Sequence, residues 1–161
     1  MATTAAPMSD TSLAGRVLRE GYGPGAWHGP DLKAALDGVT AQAAYWRPAR
    51  GRHNIAEIAL HHAYCARAVR AQLSGQPAEP FVLAGEDWFQ LDGEASLAWS
   101  AVCAAVEAEQ QQLARVVAGI ASGQTAPAVS QEEQFSLVLG ITCHAVYHAG
   151  QVQLLKLLAA G

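Results

Sequence analysis

The run HAVYHAGQ, residues 144–151, places two histidines four positions apart inside an otherwise apolar segment. On an α-helix, positions i and i+4 differ by about 40° in direction and about 6 Å along the axis. His144 and His148 therefore leave the same face. That face also carries Leu137, Ile141, Gln151 and Leu155, so it points at a core. A buried neutral imidazole has one donor and one acceptor to satisfy. Two imidazoles one turn apart can chelate a transition ion through their ring nitrogens. A third from another helix would complete a facial set and leave positions open for water or substrate. The segment IAEIALHHAYC, residues 55–65, offers His61 and His62. These two point about 100° apart on a helix, and periodicity alone does not choose between them. Cys65, one turn past His61, reads either as a small buried thiol or as a group facing the ion. The plain alternative is a set of core or surface histidines bonded to one another and to water.

Other metal chemistries lack their motifs. Ala145 and Val146 follow His144, so the H-E-x-x-H of zinc proteases is missing. No Glu-x-x-His occurs, which disfavours a di-iron carboxylate bundle. No C-x-x-C occurs either, which removes a structural zinc knuckle. The three cysteines, Cys65, Cys103 and Cys143, are an odd number within helical patterns. They read as reduced thiols of a cytoplasmic protein rather than a disulfide framework.

These residues must be carried by helices. With 161 residues the chain suits one domain, and 51% of its residues are hydrophobic, many of them alanine. Ala has the best helix propensity, which favours helices over strands. Residues 1–8 are expected to be flexible and 9–161 to form a single helical domain. A first short helix is expected in SDTSLAGRVLRE, capped by Ser9 or Asp10 and stopped at Gly21. Short helical turns should start near Asp31 and Thr40. Three long helices follow: Asn54 to Leu73, Glu94 to Ile120, and Ser130 to Ala159. Ser130 and Glu133 form an S-x-x-E capping box. The class is all-α, a four-helix bundle with a long connection between the second and third helices, long enough to cross over the bundle. The net charge is −4 and the ten Lys and Arg are scattered, which argues against nucleic acid as a partner. No apolar run reaches the ~18 residues of a membrane span, and MATTAAPMSD lacks the marks of a secretory signal.

Two segments, GRHNIAEIALHH (51–62) and HAVYHAGQVQLL (144–155), together resemble the DinB-like metalloprotein superfamily, which includes the YfiT-type proteins. The pattern I-x-E-I-x-x-H is matched by Ile55, Glu57, Ile58 and His61. The pattern H-x-x-Y-H-x-G-Q is matched by His144, Tyr147, His148, Gly150 and Gln151. The likeness runs from about Ala26 to Leu158 and includes the lead-in WHGPDLKAALDGVTAQAAYWRP. It implies a four-helix bundle, often dimeric, holding a divalent metal ion through His61, His144 and His148. It also implies a metal-dependent enzyme of the thiol S-transferase or hydrolase type. Some members use bacillithiol or mycothiol; many have no assigned activity.

On this reading the cofactor is zinc or nickel, with iron or manganese as further options. The partners would be a small electrophilic substrate, a low-molecular-weight thiol and a second copy of the chain. The alternative is a non-catalytic metal-binding or structural dimer. Glu57, one turn before His61, could accept the free N–H of a ligand imidazole. Gln151 could hydrogen-bond a metal-bound water. Tyr147 is expected to pack between helices with its hydroxyl on a carbonyl. Gly150 should permit a close helix approach, since a mid-helix Gly costs about 1 kcal/mol against Ala. Trp46, Trp88 and Trp99 are expected in the core, Trp27 as a wall of the pocket, and His28 and His53 as loop or cap residues.

Overall fold

The computed structural model describes residues 12–161, and the expectations for residues 1–8, Ser9 and Asp10 lie outside the described residues. Six helices follow: α1 (Leu13–Tyr22), α2 (Leu32–Leu36), α3 (Ala41–Tyr45), α4 (Ile55–Ser74), α5 (Trp99–Ala121) and α6 (Gln131–Ala160). Among the described residues there is no strand. None of these helices is long and apolar enough to cross a membrane.

Five starts are capped by a side-chain oxygen that accepts from the N–H three residues on, as the helix geometry demands of its unpaired first turn. The caps are Ser12, Asp31, Thr40, Asn54 and Ser130. The start of the remaining helix differs from expectation. α5 begins at Trp99, not Glu94, and its N-cap Ala98 offers no side-chain bond. Residues 94–97 fold instead as a turn, and Glu94 reaches forward so that its Oε1 accepts from the Trp99 N–H at 3.1 Å. Glu94 thus caps the helix from outside it. α4 stops where Gly75 takes a left-handed conformation, φ +68°, and returns its N–H to the Ala71 carbonyl.

The four longer helices form the bundle. α4 packs against α5 and α6, and α1 packs against both α6 and α5. The order round the bundle is therefore α1, α5, α4, α6, with α1 opposite α4 and α5 opposite α6. The long segment 75–98 joins neighbours, so it is not the crossover its length suggested. α2 and α3 lie in the connection between α1 and α4. Lys156 of α6 holds the end of α2 by donating to the Ala35 and Asp37 carbonyls, each at 3.0 Å. α1 approaches α6 at Gly21, where a Cβ would stand 2.9 Å from the Thr142 carbonyl oxygen. Gly21 is thus the close-approach glycine and lies inside α1; Gly23 caps it. Gly150, expected in that role, has no atom within 4 Å of a built Cβ.

The core is divided. One apolar cluster gathers Leu32, Ile55, Leu60, Leu91, Val106 and Val152. A second gathers Leu18, Leu73, Leu113, Val117 and Ile141. Between them, along α4, α5 and α6, lie His61 and His62, Gln110, and His144 and His148. Burying polar groups in such a layer is costly unless each finds a partner, and each of these does.

Candidate metal centre

His61 enters the layer from α4, and His144 and His148 enter from α6. The Nε2 atoms of His144 and His61 are 3.0 Å apart, and those of His148 and His144 are 3.1 Å apart. Ligand nitrogens about 2.1 Å from one cation and roughly at right angles would sit about 3.0 Å apart. Each of these two spacings fits a pair of ligands on one divalent ion, with His144 common to both.

The far side of each ring decides whether its Nε2 carries a lone pair or a proton. His61 Nδ1 donates to the Asp87 carbonyl oxygen at 3.0 Å. His148 Nδ1 donates to Gln151 Oε1 at 2.6 Å. His144 Nδ1 faces His62 Nδ1 at 3.2 Å, and His62 Nε2 donates to Gln110 Oε1 at 3.4 Å. With its proton committed to Gln110, His62 offers Nδ1 as an acceptor, so His144 Nδ1 is the donor. Each of the three Nδ1 atoms thus carries its ring's proton. Each Nε2 presents a lone pair toward its neighbours, an arrangement that repels itself until a cation lies among them.

The neutral state is enforced by burial. His62 is 1% exposed, and desolvation, with the neighbouring His144 adding to it, lowers its pKa to about 3. Burial, then His148 and His61, lowers that of His144 to about 4. Burial lowers His148 as well, against the opposing bond from Gln151. An unfolded imidazole takes up its proton near a pH of about 6.5. Below that pH the unfolded chain binds more protons than the folded one, so stability falls with pH; above it neither state is charged and nothing changes. The melting temperature of the chelator-treated protein is therefore expected to hold level above about pH 7 and to drop between roughly pH 6.5 and 5, before ordinary carboxylates titrate. A thermal-shift series that stays flat from neutral to pH 5 would contradict the buried neutral layer.

Cys65 stands at the edge of the centre, its Sγ 3.9 Å from both ring nitrogens of His61. One donor atom from each of His61, Cys65 and His144 can be chosen so that all lie within 4.8 Å of one another. Burial, with the Asp87 carboxylate adding to it, pushes the Cys65 thiol up to about 11, so without an ion it is protonated.

The segment between α4 and α5 lies over the centre. Asp87 adopts φ +61°, a strained conformation for a residue with a Cβ, and directs its carbonyl onto His61. Asp87 Oδ1 is also 3.0 Å from His61 Nδ1. Trp88 lies between two imidazoles, 3.9 Å from the His61 ring and 3.8 Å from that of His53, nearly parallel to both.

Several expected positions are corrected. Glu57 does not reach a centre imidazole. Its carboxylate, 2% exposed, takes a two-pronged bond from Arg47, the Leu91 N–H at 2.9 Å and His53 Nδ1 at 2.9 Å. Burial alone would raise its pKa, but Arg47, the Leu91 N–H and His53 outweigh it and hold it below the usual carboxylate value. Gln151 orients the His148 ring from behind. Trp88 is 37% exposed above the centre, while Trp99 is in the core and Trp46 packs partly buried against it. Trp27 is 91% exposed and walls nothing. Tyr147, 65% exposed, packs between no helices of this chain because it occupies the outer face of α6. His62, Gln110, Asp87 and Trp88 were not singled out for these roles. The doubled histidine at 61–62 was the available signal for the first.

A model of the DinB superfamily matches residues 26–152, most of the chain. The chain belongs to the DinB superfamily. Among the curated proteins and the solved structures, none matches it. The DinB match spans α2 to most of α6 and so includes His61, Cys65, His144, His148 and Gln151. The DinB bundle has two cavities, of which one reaches the centre. One, of about 220 Å³, runs between α4 and α6 and ends at His144. The other, about 650 Å³, is lined by Tyr22, Lys33, Cys103 and Glu107 among others and by none of the histidines.

Proposed function

We propose that the chain holds one divalent metal ion through the Nε2 atoms of His61, His144 and His148 and uses it as an enzyme on a small electrophilic substrate. One observation carries this reading. Three imidazoles from two helices point bare nitrogens at one another, and an acceptor behind each fixes the tautomer that binds metal. Such an ion lowers the pKa of a bound water or thiol, making a nucleophile available near neutral pH. Three protein ligands would leave further positions on the ion for that nucleophile and for substrate. This suits a thiol S-transferase or a hydrolase. Zinc and nickel both suit imidazole donors, and iron or manganese fit the same set.

The test begins with protein purified without a histidine tag or nickel column. One equivalent of metal per chain is expected by elemental analysis. The loaded protein should then consume a thiol with a model electrophile, or hydrolyse a member of an ester and amide panel. A loaded protein inert in both assays would remove the enzymatic reading.

Cys65 favours a second reading. With its thiolate as a fourth ligand the ion would be enclosed, as in structural zinc sites, and the protein would be a non-catalytic metal binder. Cys65→Ala separates the two: activity should survive it if the site is catalytic, and metal affinity should collapse if it is structural.

A second copy of the chain is the partner we assign to the outer face of α6. Phe135, Leu139, Tyr147, Leu154, Leu157 and Leu158 are exposed there at helical spacing. They carry no charge, and Gly150 among them leaves room for another backbone. Sedimentation should give a dimer, and Leu154→Glu should give a monomer.

A further inference from the structure

The shallow groove beside the centre, open to solvent along the exposed Ser136 and Gly140, has a composition that restricts what can lie in it. Its walls are Cys65 and Val69 from α4, and Ser136, Leu137, Gly140, Ile141 and His144 from α6. His61, Cys65 and Val69 succeed one another at i, i+4 and i+8, so they form one straight row along α4. Leu137, Gly140, Ile141 and His144 form the facing row on α6. The trough begins at His144 and runs along α6 toward Leu137. From His144 to Leu137 is seven residues, about 10 Å along the helix axis.

No charged side chain lines this trough, and its one hydroxyl is that of Ser136. Its volume, about 220 Å³, is below the range of about 300–1,000 Å³ that encloses a whole drug-sized ligand. It suits one slender arm. Gly140 lies exposed at its rim. A Cβ built there meets no atom within 4 Å, so packing within the chain does not require glycine. Its conformation is ordinary helix, so the backbone does not require it either. A mid-helix glycine costs about 1 kcal/mol relative to alanine, and a larger side chain at this lining position would narrow the trough.

We propose that this trough receives an unbranched apolar arm of the substrate, about 10 Å long at most, whose reactive end lies at the metal ion. The substrate class is then an aliphatic electrophile or acyl compound rather than a highly charged one. This rests on the metal-centre reading above, and the experiment is arranged to tell the two apart.

The probe is a series of n-alkanethiols, ethanethiol to pentanethiol, with 2-mercaptoethanol as a polar member, added anaerobically to cobalt(II)-loaded protein. Thiolate binding is read from the sulfur-to-cobalt charge-transfer absorption. Each added methylene that enters the trough should tighten binding by up to about fourfold, the value for full burial, and 2-mercaptoethanol should bind no better than ethanethiol. Gly140→Leu should abolish the gain beyond ethanethiol. Gly140→Ala should keep most of it and raise the melting temperature, which shows that residue 140 tolerates substitution. Cobalt uptake with dissociation constants independent of chain length would overturn the trough while leaving the centre intact. So would an unchanged length dependence in Gly140→Leu. Absence of cobalt uptake by the wild type would overturn the centre, and the trough proposal with it.

Discussion

Replacing His144 by alanine is expected to abolish stoichiometric metal binding. His144 holds the middle of the set: its Nε2 is 3.0 Å from that of His61 and 3.1 Å from that of His148. Removing it leaves two nitrogens on different helices with the central donor gone. Loss of a mere hydrogen-bond partner of a ligand typically costs 10–100-fold in metal affinity, so loss of the ligand should cost more than about 100-fold. The variant should still fold, because the site is half-buried and the cavity adjoins open space. Isothermal titration with zinc on untagged protein reads the effect. The supporting residues should give a graded series. His62→Ala and Gln151→Ala each remove an acceptor from behind a ligand ring and should fall in the 10–100-fold range. If His144→Ala kept one equivalent of zinc at wild-type affinity, the three-imidazole centre would be wrong.

The largest loss of stability is expected from Glu57→Ala. This carboxylate is buried, and it ties α4 to the connection before it, through Arg47 and His53, and to the connection after it, through the Leu91 N–H. Truncation leaves the Leu91 N–H, which is fully buried, without its acceptor, and Arg47 without its main counter-charge. Breaking a buried ion pair from one side typically costs about 3–5 kcal/mol. Arg47 is partly exposed and keeps Asp92 and the Leu91 carbonyl, so the lower end, about 3 kcal/mol, is expected. For a chain of this size that is a melting temperature lower by about 10 °C. Glu57→Gln should fall between. Chemical denaturation gives the energy, and an activity assay on the same variants separates this role from a catalytic one. A catalytic carboxylate would lose activity in Glu57→Gln at unchanged stability; the carboxylate described here loses both in proportion.

Much of this architecture was legible. The helices carrying the histidines showed themselves by runs of Ala, Leu, Ile and Val broken by Gly75 and by the cap at Ser130. The pairing of His144 with His148 follows from helical geometry alone. The choice of His61 over His62 did not: both are buried, and it was the resemblance that favoured His61. What remained hidden has one physical source. Asp87 and Trp88 belong to an irregular segment whose path is set by long-range bonds, from Arg47 and Asn54 to the Leu91 carbonyl and from Leu91 to Glu57. No local periodicity encodes such a path. Gln110 was equally invisible, because a glutamine in an amphipathic helix reads as surface until its buried partner is known. Tyr147 reads as internal packing because it is a large aromatic, and Gly150 because a mid-helix glycine is costly, but the orientation of α6 turns both outward.

The indole of Trp88, held flat against His61 at 3.9 Å, gives the protein an optical reporter of its own. An open-shell ion such as nickel(II) on the far nitrogen of that imidazole would lie close enough to quench emission from this one tryptophan of four. Titration with nickel should dim part of the intrinsic fluorescence, and Trp88→Phe should abolish that response while the ion still binds.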